Sequence, residues 1–171
     1  MATAGATCAD RLTSRGMTLV YEYFAAPSDD DAVRVLEFAG WPVRVGSGGA
    51  GQPDWDVVDG ASIEPTVNLA DLEELLTGVD YETIVDNPRA GATLASQDDQ
   101  GMVITVTDRL QAALADVEDN RLAPLAAEWS HAEEFGGDAS PGDLRAFLTD
   151  LVGLASRAMV RNERLYCRVR F

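Results

Sequence analysis

Residues 18–25 alternate apolar and polar side chains, the period-two pattern of a strand. Pro27, Ser28 and the acids Asp29, Asp30 and Asp31 then open a helix with a capping serine and a negative first turn, predicted to end at Gly40. Residues 41–67 carry Trp41, a glycine-rich run and Trp55, and predict short strands joined by loops. From Asn68, the leucines 69, 72, 75 and 76 recur at helical spacing, with Gly78 at the C-cap position. An irregular, turn-rich stretch follows.

Met102–Thr107 is the most β-prone run and predicts a central strand. Asp108 begins a helix through Val117, and a second helix runs from about Leu122 to Phe135 with Pro124 in its first turn. Ser140-Pro141 starts the longest helix, whose stripe is Leu144, Phe147, Leu148, Leu151, Val152, Ala155 and Met159. A strand over 165–171 closes the chain. This order predicts one α+β domain over 17–171: a mixed or antiparallel sheet including the N- and C-terminal strands, covered by about five helices. Residues 1–16 show no periodicity and predict a flexible tail, with Met17 a natural start.

Composition narrows the functional classes. At 171 residues, 46% hydrophobic and 25% charged, with a mean hydropathy of −0.08, the chain is that of a folded globule with a real core. No run approaches the roughly 18 apolar residues of a membrane-spanning helix. All 13 basic residues are arginine, which excludes lysine nucleophiles, Schiff bases and the phosphate-binding lysine of P-loops. Two cysteines, Cys8 and Cys167, make neither a disulfide framework nor a zinc site, and Cys167 reads as a buried strand residue; a reducing cytoplasm is expected.

The net charge is −16, unevenly placed: 28 acids stand against 8 arginines up to residue 156, and 5 arginines against Glu163 beyond it. So acidic a body repels phosphate backbones, so no nucleic-acid binding is expected.

Three features carry candidate chemistry. Gly46 to Gly51 fits G-x-G-x-x-G, but Gln52-Pro53-Asp54 follows where a phosphate-binding helix should begin, so a surface loop is expected and no cofactor. His131 is the single histidine; Glu128 and Glu134 flank it at one-turn spacing, so the three are expected to share one face of this helix. A di-iron site needs a second histidine, so no metal is assigned, and the trio is the candidate catalytic set of a small enzyme, with metal assistance one option. Trp41 and Trp55 are candidates for an interaction surface, although core packing is the simpler reading. The carboxylate pairs Asp54/Asp56, Glu73/Glu74 and Asp98/Asp99 read as solvated.

The helix end Leu75-Leu76-Thr77-Gly78, the later strand, Val106-Thr107-Asp108 opening a helix, and the helix from Leu122 to Trp129 together resemble YfbM-like bacterial domains of unknown function. Those domains carry a tryptophan–histidine pair where this chain has Ala70, Asp71 and Leu72. The resemblance implies a small α+β fold ending in a strand, and no activity or cofactor. The arginine-only basic set points to an uncharacterised actinobacterial family. The leading functional expectation is a non-enzymatic module that binds a protein partner or itself. The alternatives are the His131 enzyme and an acidic immunity protein or nucleic-acid mimic.

Overall fold

The computed structural model describes residues 19–38, 55–98 and 100–171. Trp41, Cys8, the 1–16 tail, Met17 and the glycine run 46–51 lie outside them. Among the described residues an antiparallel five-stranded sheet is built from β1 (Val20–Ala26), β2 (Val57–Asp59), β3 (Thr93–Gln97), β4 (Gly101–Thr105) and β5 (Arg164–Arg170), in the order β2-β1-β5-β4-β3. The two ends of the fold therefore pair: Val20 lies opposite Arg170 and Ala26 opposite Arg164. The middle strand is β5. The β-rich run 102–107 is interior beside it, and its last residue, Thr107, caps the following helix.

Among the described residues six α-helices accompany the sheet: α1 (Asp29–Val33), α2 (Val67–Thr77), α3 (Tyr81–Val85), α4 (Asp108–Ala115), α5 (Asp119–Trp129) and α6 (Pro141–Arg161). Period-two alternation sorts the strand residues between two layers. Tyr23, Ala25, Ile104, Leu165, Cys167 and Val169 pack with apolar residues of α2, α4, α5 and α6. Phe24, Ala26, Val103 and Tyr166 pack with Ala32, Val35, Leu36 and Trp55. Both layers are buried, so the middle strands read as nearly continuous burial. No helix among the described residues is long and apolar enough to cross a membrane.

Several boundaries differ from expectation. The helix predicted to reach Gly40 is α1 followed by a 3₁₀ turn over Arg34–Glu37; Ser28 caps it, and Phe38 is already extended once Val35 and Leu36 are buried. The helix predicted from Leu122 begins three residues earlier, placing Pro124 inside it, and it ends at Trp129 rather than Phe135. Its last turn tightens, with His131 N–H donating to the Glu128 carbonyl and the Ser130 hydroxyl to that of Ala127. Ala132 then leaves helical geometry, and a separate 3₁₀ turn over Glu133–Phe135 ends at Gly136 in the left-handed region (φ 60°). The irregular stretch contains α3, capped by Asp80, and the edge strand β3. On α6 the buried stripe runs through Leu154 and Ala158, and Met159 is half exposed.

Candidate functional site

The charges of this chain divide into two regions with opposite chemistry. The first gathers where α1 begins, α6 ends and β5 starts. Asp29, in the first turn of α1, accepts the Tyr166 hydroxyl at 2.7 Å and Arg89 Nη1 at 3.0 Å. The Arg89 guanidinium also lies 5.6 Å from the centre of the Tyr166 ring. Arg89 and Arg164 both approach Asp108, at 3.6 and 3.5 Å. Close by, Asp56 receives a two-pronged contact from Arg157, at 2.6 and 3.0 Å, and a third bond from Arg161 at 3.3 Å. Arg161 in turn donates to Glu163 at 2.8 Å.

These partners set the protonation of the region. The Tyr166 hydroxyl bond, aided by Arg89, holds the Asp29 carboxyl below its usual range. Burial pushes Asp56 upward, but the Arg157 fork and Arg161 outweigh it and the carboxyl is held low. Burial and the bond to Asp29 push the Tyr166 phenol up to about 12. Two open clefts, about 310 and 450 Å³, meet here and share Pro27 and Glu163; Trp55 walls one and Asn162 the other. Asn162 ends α6 in the left-handed region (φ 55°), a conformation asparagine tolerates better than most residues.

The second region is acidic, and unpaired among the described residues. Asp71 and Glu74 project from α2, and Glu133 and Glu134 from the 3₁₀ turn after α5. Burial, then Glu134, Glu74 and Glu133 in that order, push the Asp71 carboxyl upward. Tyr81 stands beside them, its phenol raised by burial and then by Asp71, Glu134 and Glu64. None of the described ion pairs reaches Asp71, Glu74, Glu133 or Glu134, although seven of the ten arginines among the described residues hold one elsewhere.

No family model, curated protein or solved structure matches this chain.

The anticipated trio does not share a helix face. Glu128 is exposed in the last turn of α5, His131 is exposed in the turn beyond it, and Glu134 belongs to the next 3₁₀ turn, facing Asp71 instead. The physical cause is the tightened end of α5, which breaks the continuity that i, i+3, i+6 spacing requires. Among the described residues no group of three or more His, Cys, Asp or Glu side chains is arranged to hold a metal ion. Trp55 is 7% exposed and meets the Phe24 ring edge-on at 5.4 Å, so its bulk serves the core while an edge reaches the cleft.

Two carboxylates expected in solvent are not there. Asp56 is half-buried in its arginine clasp, and Glu73 is buried at 1% exposure. The signal for Glu73 is its spacing: positions 69, 72, 73 and 76 form the i, i+3, i+4, i+7 inner stripe of α2. No local signal joins Asp71 to Glu134, which lie 63 positions apart.

Proposed function

We propose that this protein is a cytoplasmic, non-enzymatic interaction module whose α2 face, with Asp71, Glu74, Glu133, Glu134 and Tyr81, takes a basic protein surface. The carrying observation is the company of Asp71: after burial, Glu134, Glu74 and Glu133 push its carboxyl upward, and no ion pair among the described residues reaches it. Gathering like charges costs stability, and a chain that pairs most of its arginines elsewhere leaves this face negative. A basic partner would relieve that cost on binding, and the Tyr81 ring adds a flat surface on which a guanidinium can stack. An acidic inhibitor or nucleic-acid mimic is one form of such a module, and nucleic acid itself is disfavoured as a partner. The surroundings of His131 lend the enzyme reading no support, since its side chain is solvent-exposed and lines none of the clefts described above. The free, buried Cys167 accords with a reducing compartment.

The test uses octa-arginine as the probe and two variants of equal charge. One carries Asp71→Asn, Glu74→Gln, Glu133→Gln and Glu134→Gln; the other carries Glu118→Gln, Asp119→Asn, Asp143→Asn and Asp150→Asn. Calorimetric titration is expected to show the first weakened about tenfold, about 1.4 kcal/mol, and the second changed far less. Equal weakening in both would reduce the interaction to net charge and overturn the reading.

A further inference from the structure

The two edges of the sheet differ in how they meet solvent. β2 is three residues long and ends at Asp59, whose carboxylate turns back to accept the Ala61 N–H at 2.8 Å; Asp56, in its arginine clasp, precedes it. Short, charged edges resist pairing with another strand. β3, at the opposite edge, is five residues long and reads Thr93-Leu94-Ala95-Ser96-Gln97, with no charge and no proline. It pairs with β4 on one side, and among the described residues no strand lies along the other. Thr93, Ser96 and Gln97 are exposed.

An edge strand turns part of its backbone N–H and C=O groups outward, where a further strand can pair with them. One device against such pairing is present in β3: its register with β4 slips between Thr93 and Ala95, which leaves Ala95–Gln97 as the regular part. The open edge is therefore short, and any contact made through it is weak. Charge decides which partner it suits. From Ala90 to Asp98 the chain carries one charged side chain, Asp98, in a protein of which 25% is charged. A basic partner finds almost no acid to meet here. A second copy, with the same net charge of −16, is repelled overall and least where neither chain brings an acid.

We infer that β3 is the contact of a weak two-fold homodimer, in which Ala95–Gln97 of one copy pairs antiparallel with the same residues of the other. Two-fold antiparallel pairing is self-complementary, since each outward donor meets the equivalent acceptor. Ser96 then lies opposite its own copy, Ala95 opposite Gln97, and Asp98 opposite Leu94, so Asp98 faces no acid across the seam. The two sheets become continuous. The inference stands independently of the proposed function; its consequence for that reading is that each dimer carries two α2 faces.

The experiment is sedimentation equilibrium of the full chain up to about 1 mM at low and high salt, with amide hydrogen exchange read across Thr93–Gln97. A dissociation constant on the order of 0.1 mM is expected, tightening as salt screens the repulsion between two acidic copies. Exchange within Thr93–Gln97 should slow as concentration rises. Ser96→Lys sets like charges opposite each other and should weaken association about tenfold, although it lowers the net negative charge of each copy. Thr149→Lys, the same change of charge at an exposed position of α6, should not weaken it. A monomer at every concentration, association that weakens with salt, or equal effects of the two lysines would overturn the inference. The wild-type salt and exchange measurements decide it even if Ser96→Lys fails to fold.

Discussion

The clasped end of the molecule and the bare face of α2 hold carboxylates of the same kind in opposite states. At the clasped end Asp29 and Asp56 are held low by Tyr166, Arg89, Arg157 and Arg161. On the bare face Asp71 is raised by burial and by its acidic neighbours. The difference teaches that a net charge of −16 is not one property: among the described residues the arginines pair where they hold the fold, and the face around Asp71 is left negative.

The two states have opposite signs in stability. A carboxyl held low when folded contributes stability above its unfolded value, lost as pH falls through the folded one. A carboxyl raised when folded contributes below its unfolded value, near 3.8 for Asp71, and that contribution is lost as pH rises through the folded one.

The comparison can be broken most severely at Asp29. Asp29→Ala leaves the fully buried Tyr166 hydroxyl and the Arg89 guanidinium without their acceptor, and is expected to cost about 2–3 kcal/mol in chemical denaturation. Adding Tyr166→Phe should recover part of that loss. Asp56→Ala should cost less, about 1–2 kcal/mol, because Arg157 and Arg161 are half exposed and can turn to solvent. The four neutralising changes at Asp71, Glu74, Glu133 and Glu134 should instead stabilise by about 1 kcal/mol at neutral pH and low salt. Their advantage should shrink with added salt, and again as pH falls below about 4, both read from melting curves. His131→Ala should move stability by no more than about 0.5 kcal/mol, since its side chain is exposed beyond the end of α5.

Much of the fold was legible because burial repeats with the backbone. β1, α2, α6 and β5 were each placed by alternation, by leucines at helical spacing, or by a serine–proline start. β3 was not, because Thr-Leu-Ala-Ser-Gln has neither alternation nor strong β-branching, and its extended form comes from pairing with β4. The end of α5 was missed for a related reason. Glu128 to Glu134 reads as helical by composition, yet the chain leaves the helix as soon as Trp129 is buried, and this separates the three residues proposed as a catalytic set. The charge division was half legible. The arginine-rich end of the sequence was visible, but the clasps join Asp29 to Tyr166 and Asp56 to Arg157 over more than a hundred residues: the pairing of β1 with β5 brings the first pair together, and the packing of α6 against β2 the second.

The division itself is tested most directly by carboxyl-carbon NMR titration of the wild-type protein, resolved at Asp29, Asp56 and Asp71. The expected result is that Asp71 titrates above 3.8 and Asp29 and Asp56 below it, with the gap for Asp71 narrowing in Glu134→Gln. Three midpoints that coincide near the ordinary aspartate value, unmoved by Glu134→Gln, would contradict it.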